Sequence, residues 1–147
     1  MTCGDVMTKD PVCCVPTDSA SRVAKIMKTE NVGSIPVCES RQSRRLIGIV
    51  TDRDLAIQVV AEGRDGTNTL VQEVMTREPV TCSPESDLQR ALDAMQTQQV
   101  RRIPVVDRSG HLIGIIAQAD IANRCGEAEK TAETVHEISK PSTASAA

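Results

Sequence analysis

One segment of this chain occurs twice. The stretch Val6–Cys38 returns 68 residues later as Val74–Val106, with 14 of 33 positions identical. Further along, Leu46–Ala56 matches Leu112–Ala122 at 6 of 11 positions. Each copy of an internal repeat has an apolar face that it cannot bury alone, so duplicated units of this kind usually pack against each other. We therefore expect two pseudo-symmetric halves that share one core, with a ligand cleft between them.

Each copy has the same order of local patterns: strand, helix, strand, strand, helix. A short apolar run between prolines opens each copy, at Pro11–Pro16 and at Pro79–Pro84, and predicts a strand of about four residues. Apolar residues at helical spacing follow in both copies. Thr17 or Asp18 is expected to cap the first of these helices. The fold class is therefore α/β (α+β), with two β-α-β-β-α repeats packed as one module.

A β-hairpin and a second helix complete each copy. The hairpins are predicted to pair Ile35–Cys38 with Leu46–Val50, and Ile103–Val106 with Leu112–Ile116. The second helices are predicted over about Asp52 to Glu62 and about Gln118 to Arg124. The predicted organisation is residues 1–66 for the first repeat with its N-terminal segment and connecting loop, 67–125 for the second repeat, and 126–147 for a flexible tail.

Composition excludes several classes of function. The net charge is −3, and Phe, Tyr and Trp are all absent, so the chain has neither a basic field nor stacking side chains for nucleic acid. No apolar run is long enough to span a bilayer. The start of the chain lacks the pattern of a secretory signal, which predicts a cytoplasmic protein. No residues form a nucleophile with its base, so we expect no enzymatic activity.

Six cysteines are present, and none is spaced as a C-x-x-C pair. A zinc site therefore has little support. Buried free thiols are the plain interpretation, because cytosolic cysteine often behaves as a small apolar residue. The alternative is a thiol redox switch, in which Cys13 or Cys14 leaves one strand close to Cys38 at the end of another. Sequence does not decide between these two partners for Cys38.

The most specific local motif is Gly48–Asp54, an apolar strand that leads into a helix. Thr51 is placed to bind a phosphate oxygen at the helix start, and Asp54 is placed to accept hydrogen bonds from the two hydroxyls of a ribose. The same Thr-x-x-Asp spacing also forms a helix capping box, which needs no ligand. Both interpretations remain open at this point.

The second copy differs from the first at this motif. Asp120 keeps the acid, whereas Ala117 replaces the hydroxyl residue. Two arginines, Arg101 and Arg102, precede the strand Ile103–Val105, and guanidinium groups suit phosphate oxygens. If the halves pack as expected, these arginines face the cleft that contains Thr51, and the site is composite.

These residues resemble the CBS (cystathionine-β-synthase) domain family, whose tandem pairs are called Bateman modules. The resemblance covers about residues 3 to 124. Its marks are the Val-Met-Thr repeat starts, the Ile-Pro-Val strands and the two Gly-x-x-x-x-x-Asp segments. It implies a regulatory module, commonly a homodimer, that binds adenine nucleotides or related adenosyl ligands such as S-adenosylmethionine or NAD(H). The resemblance implies no obligatory cofactor and leaves the effector protein unidentified.

The resemblance also assigns residues to the ligand. It places the following residues at the two sites: Val12, Ile35, Pro36, Thr51, Arg53 and Asp54, and Val80, Arg101, Arg102, Ile103, Pro104 and Asp120. The site around Asp120 is expected to be weaker or empty, because Ala117 departs from the usual Thr or Ser. Two alternatives to nucleotide sensing remain: an oligomerisation or partner-docking scaffold with vestigial sites, and the thiol switch.

Overall fold

A computed structural model describes residues 1–124 of the chain. The tail predicted over 126–147 lies outside the described residues. The helices and strands, in chain order, are α1 Cys3–Val6, β1 Thr8–Lys9, α2 Ala20–Glu30, β2 Ser34–Cys38, β3 Leu46–Thr51, α3 Asp52–Leu55, β4 Thr76–Arg77, α4 Leu88–Gln98, β5 Arg102–Val106, β6 Leu112–Ala117 and α5 Gln118–Arg124. A π-helical segment, Ala56–Val60, continues α3, and a 3-10 turn forms at Val71–Glu73. Mixed helix and strand architecture is confirmed.

The chain divides into two compact units that do not follow the sequence repeat strictly. Within the described residues, one unit combines Met1–Pro11 with residues 80–124, and the other is Val12–Pro79. The predicted boundary at 66/67 follows the repeat, whereas the contacts assign the N-terminal segment to the unit that contains the second repeat. Residues 67–79 belong with the first repeat. We call Val12–Pro79 the first unit and the other the second unit.

Each unit contains a three-stranded antiparallel sheet. In the first unit the strand order is β2-β3-β4, and in the second it is β1-β6-β5. The central strands β3 and β6 each pair with a hairpin partner and with a two-residue strand that starts a repeat. The predicted hairpins are therefore present, each about one residue longer than the pattern indicated.

The predicted strands at Pro11–Pro16 and Pro79–Pro84 are shorter than expected. Each contributes one parallel bridge, Cys14 to Val37 and Cys82 to Val105. Proline lacks a backbone N–H and limits ladder pairing, which accounts for the brevity of these segments.

The helices bury the faces that their apolar spacing predicts. Val23 and Met27 of α2 are buried in the core of the first unit, and Leu92 and Met95 of α4 are buried in the core of the second. The cap of α2 differs from the prediction, since the Ser19 side chain accepts from the N–H of Arg22 at 3.1 Å. None of the helices in residues 1–124 is long and apolar enough to cross a membrane.

Candidate ligand-binding site

In the first unit, one end of the sheet brings two predicted ligand residues, Thr51 and Asp54, together with a third polar residue. Ser34 begins β2, Thr51 ends β3, and the two are direct partners in the antiparallel ladder. Directly paired residues point to the same face of a sheet, so their hydroxyl groups share one surface. Asp54 follows one turn later in α3. The strand ladder therefore places these three polar side chains at a single sheet end.

Thr51 and Asp54 form the reciprocal capping box that the spacing allowed. The Asp54 N–H donates to Thr51 Oγ1 at 3.0 Å, and the Thr51 N–H donates to Asp54 Oδ2 at 2.9 Å. The box leaves two groups for another partner, because the Thr51 hydroxyl can still donate its hydrogen and Asp54 Oδ1 makes no hydrogen bond within residues 1–124. Capping and ligand binding are thus compatible at these residues.

Ser34 adds a polar atom that the sequence interpretation did not assign. Its hydroxyl oxygen is buried and has no hydrogen-bond partner among the described residues. Burying a hydroxyl without a hydrogen-bond partner costs about 1–3 kcal/mol of folding free energy. An unpartnered hydroxyl in a candidate site therefore indicates that a partner outside the chain binds there. The repeat alignment could have identified Ser34, because it aligns with Arg102, which was predicted to bind the ligand.

The apolar side of the first-unit site comes from the segment that bridges to β2. Cys14 donates its N–H to the Pro36 carbonyl at 3.0 Å and pairs with Val37. Extending this parallel register by two residues puts Val12 beside Ile35. Val12 is 38% exposed, whereas the Ile35 side chain is fully buried in the core. Ile35 is therefore buried as a whole residue, and Pro36 is likewise buried.

Arg53 lies outside this cluster of predicted residues. It is exposed, and its N–H donates to Asp52 Oδ1 at 2.8 Å. The start of α3 therefore carries two acids, Asp52 and Asp54, and one arginine. This end of the first-unit sheet is acidic.

The second unit repeats the backbone geometry with different side chains. Arg102 pairs with Ala117 in the ladder as Ser34 pairs with Thr51. Asp120 Oδ2 accepts from the Ala117 N–H at 3.4 Å, so half of the capping box survives without the hydroxyl. The hydroxyl of Thr8 in β1 also donates to Asp120 Oδ2, at 3.4 Å.

Three buried polar atoms in the second unit have no hydrogen-bond partner in the described part of the chain. They are Gln99 Oε1, Arg101 Nε and Gln118 Oε1. The Gln118 N–H donates to the Arg101 carbonyl at 3.1 Å, which joins the start of β5 to the start of α5. With two arginines against one acid, this end of the second-unit sheet is basic, opposite in sign to its counterpart.

The remaining predicted residues of the second unit follow the same pattern as in the first. Val80 is 39% exposed, and the Ile103 side chain is fully buried. The Pro104 carbonyl accepts from the Cys82 N–H at 3.1 Å. Each unit therefore has a partly exposed valine before its hairpin and an acid in the helix that follows it. Among the described residues no group of three or more His, Cys, Asp or Glu is placed to hold a metal ion.

Residues 3–60 and 71–127 match the family model of the CBS domain. The chain belongs to the CBS domain family. It is 42% identical over 118 residues to the CBS domain-containing protein YhcV of Bacillus subtilis, which covers 80% of this chain and 81% of YhcV. The resemblance inferred from the repeat motifs is confirmed.

Two solved structures with bound ligands are similar to this CBS chain. CBSX2 of Arabidopsis thaliana in complex with AMP superposes with a TM-score of 0.73 at 26% identity, covering 87% of this chain and 98% of CBSX2. The CBS domain pair of protein MJ0100, in complex with 5′-methylthioadenosine and S-adenosyl-L-methionine, gives a TM-score of 0.74 at 25% identity. That match covers 86% of this chain and 96% of the other. Both relatives bind an adenosine derivative.

Proposed function

We propose that this protein is a non-enzymatic regulatory protein that binds an adenosine-containing small molecule at the sheet ends of its CBS repeats. The observation that carries the proposal is a buried, unpartnered polar atom at the sheet end of each unit: Ser34 Oγ, whose residue pairs with Thr51, and Arg101 Nε, whose residue accepts from the Gln118 N–H through its carbonyl. The chemical class of the proposed ligand comes from CBSX2 and MJ0100, whose bound ligands are adenosine derivatives.

The first-unit residues divide the ligand between them. Asp54 Oδ1 accepts hydrogen bonds from the vicinal hydroxyls of the ribose, while Oδ2 keeps the helix cap. The hydroxyls of Ser34 and Thr51 donate to the ligand's oxygens. Val12 covers one face of the adenine, since the chain contains no Phe, Tyr or Trp to stack on it.

Opposite local charge gives the two repeats different preferences. The second-unit end, with Arg101 and Arg102, favours a phosphorylated ligand such as AMP, ADP or ATP. The first-unit end, with Asp52 and Asp54, disfavours a phosphate and suits an uncharged or cationic adenosyl ligand. The loss of a hydroxyl at Ala117 therefore weakens ligand binding less than the sequence indicates. Arg102 occupies the ladder position beside Ala117, and the hydroxyl of Thr8 lies next to Asp120.

Isothermal titration calorimetry of the full chain with AMP, ATP, NADH, 5′-methylthioadenosine and S-adenosylmethionine tests the proposal. For a ligand of about two dozen heavy atoms at roughly 0.3 kcal/mol per atom, the dissociation constant is on the order of 10 µM. Asp54→Ala is expected to raise the dissociation constant of the adenosyl ligand roughly ten- to a hundred-fold, which corresponds to the loss of one hydrogen bond to a charged group. Asp120→Ala does the same for AMP.

Asp87→Ala is the matched control. Asp87 caps α4 by accepting from the Gln89 N–H at 2.9 Å, so its loss lowers stability by about 1 kcal/mol without touching either sheet end. Binding that stays weaker than millimolar for every adenosine derivative contradicts the proposal. Equal loss of affinity in Asp54→Ala and Asp87→Ala also contradicts it, because the effect would then come from stability alone.

The capping box itself favours a second candidate, an oligomerisation or partner-docking scaffold with vestigial sites. In that case Thr51→Ala lowers the unfolding temperature and changes no ligand response. Sedimentation of the full chain with and without AMP separates the two functions. The regulatory proposal includes a homodimer whose assembly or effector contact responds to the ligand, whereas a scaffold assembles identically in both conditions.

A further inference from the structure

Two cysteines of the first unit lie in side-chain contact beside an arginine. Cys13 precedes the residue that bridges to β2, and Cys38 ends β2. Each of the two side chains shifts the pKa of the other. Arg44 contacts both residues: its guanidinium Nη1 lies 3.6 Å from Cys13 Sγ, and its backbone carbonyl accepts from Cys38 Sγ at 3.6 Å. Of the two candidate partners for Cys38, Cys13 is the one that shares Arg44 with it.

The charges around this pair stabilise a thiolate on Cys13. The neighbouring Cys38 side chain, and then the positive charges of Arg44 and Arg41, lower the pKa of Cys13 from 9.0 to about 6, against burial and the charge of Asp18. The pKa of Cys38 is raised, first by its interaction with the Cys13 side chain and then by burial. At neutral pH the pair therefore consists of one thiolate and one thiol, which is the combination that oxidative bridging requires.

Access separates these two sulfurs from the third nearby cysteine. Cys13 is partly exposed, whereas Cys14 and Cys38 are fully buried. Burial, together with the charge of Asp18, raises the pKa of Cys14 to about 12, so it stays an inert thiol. A small oxidant in solution therefore meets Cys13 first.

The second unit holds a contrasting pair. Cys82 lowers the pKa of Cys3, whereas burial and the charge of Asp87 oppose that shift. Cys3 is fully buried, its thiol lies 3.9 Å from the Asp87 carbonyl, and the charge that acts on it is the carboxylate of Asp87. No cation acts on this pair within the described residues. It is an internal control with the same contact and the opposite local charge.

We propose that Cys13 and Cys38 form a peroxide-responsive dithiol, in which Cys13 is the attacked residue and Cys38 the resolving one. The Cys13 thiolate attacks one peroxide oxygen, the O–O bond breaks, and the departing oxygen takes a proton from water. Cys13 becomes a sulfenic acid, and the peroxide is reduced to an alcohol or water. The Cys38 sulfur then attacks the Cys13 sulfur and expels hydroxide, which leaves as water with the Cys38 proton. With hydrogen peroxide the products are one disulfide, one water and one hydroxide, which carries the charge of the original thiolate.

This inference goes beyond the proposed ligand function and does not rest on it. A disulfide would tie the segment that contains Val12 covalently to β2, next to the first-unit sheet end. Peroxide would then change adenosyl affinity if the ligand proposal also holds. The dithiol proposal itself is tested by the oxidation of the cysteines and does not depend on ligand binding.

The test is peptide-resolved mass spectrometry of the full chain after exposure to about one equivalent of hydrogen peroxide. The wild-type chain is expected to lose two hydrogens in a peptide pair that joins Cys13 to Cys38, and Cys13→Ser is expected to form no bridge to Cys38. In Cys38→Ser, a 1,3-dione probe is expected to label Cys13 as its sulfenic acid. A bridge from Cys14, or preferential oxidation of Cys3 and Cys82, overturns the proposal.

A second measurement uses the wild-type cysteines, so its result does not depend on whether the cysteine variants fold. The rate at which iodoacetamide alkylates Cys13 is expected to rise with a midpoint near pH 6. In Arg44→Gln that midpoint moves to higher pH, and a midpoint near pH 7 lowers the alkylation rate at pH 6 about five-fold. Arg45→Gln, which removes the exposed neighbouring arginine, leaves the profile unchanged. A wild-type midpoint above pH 8, or equal effects of both variants, refutes the dithiol.

Discussion

Two glycines at equivalent places in the repeats should respond differently to the same substitution. Gly48 of β3 pairs with Arg77 of β4, and Gly114 of β6 pairs with Lys9 of β1. A Cβ at position 48 would lie 2.8 Å from the Thr76 carbonyl oxygen and 2.9 Å from Met75 Sδ. At position 48, β4 therefore approaches the central strand so closely that a side chain would meet its backbone.

The nature of the obstructing atoms sets the magnitude. At position 114 the three atoms nearest the added carbon all belong to the Met7 side chain, namely Sδ, Cγ at 2.8 Å and Cβ at 3.1 Å, and Sδ and Cγ can turn away. At position 48 a backbone carbonyl stands in the way, and β4 must shift. Overpacking costs about 1–3 kcal/mol, while replacing a strand glycine by alanine recovers about 0.5–1 kcal/mol. We expect Gly48→Ala to lose about 1–2 kcal/mol of unfolding free energy and Gly114→Ala less than about 1 kcal/mol.

Urea denaturation followed by circular dichroism measures both losses and their coupling to the methionines. Met7→Ala should relieve part of the Gly114→Ala cost, since it removes the obstructing side-chain atoms beyond Cβ. Met75→Ala should not relieve Gly48→Ala, because the Thr76 carbonyl remains. A Gly48→Ala variant that is as stable as the wild type, or that Met75→Ala fully rescues, would refute the argument from backbone contact.

Three further outcomes are expected from denaturation experiments. Glu78 has φ of 50°, so Glu78→Gly should raise the unfolding free energy by about 1 kcal/mol in the same urea assay. Asp18 is 7% exposed, and its carboxylate accepts from Arg41 at 2.8 Å, so Asp18→Asn should lower the unfolding free energy by about 1.5–3 kcal/mol. The pKa of Glu73 is lowered, first by the hydrogen bond from the Leu70 N–H and then by Arg64. The ionised Glu73 side chain therefore stabilises the fold fully above the ordinary carboxyl pKa, and this contribution is lost as pH falls through the lowered pKa. In Glu73→Gln the urea midpoint should consequently depend less on pH below about pH 5.

The sequence predicted most of the architecture because the repeat supplied each pattern twice. The hairpins and the stripes of α2 and α4 have strong periodic signals, and the structure contains all of them. The α2 cap was wrong for a tertiary reason. Asp18 accepts from the Val15 N–H at 2.9 Å and from Arg41, so its carboxylate is already engaged, and Ser19 caps the helix instead.

The exchange of short strands could not be read from the sequence. Thr8–Lys9 and Thr76–Arg77 have nearly the same sequence and offer nearly the same ladder to either central strand. Local propensity therefore cannot say that the first pairs with β6 and the second with β3. The π-helical continuation of α3 was also missed, because the apolar spacing of Ala56–Val60 does not distinguish a π-helix from an α-helix.

The candidate site follows from constant backbone and changed side chains. Both hairpins have the same partner spacing and the same irregularity near the end of their first strand, between Val37 and Cys38 in one repeat and between Val105 and Val106 in the other. On that shared frame, Ser34 corresponds to Arg102 and Thr51 to Ala117. Because the frame is the same in both repeats, the reversal of charge at the sheet end comes from the side chains and not from a different backbone. Under the proposed function, this reversal gives the two repeats preferences for ligands of different charge.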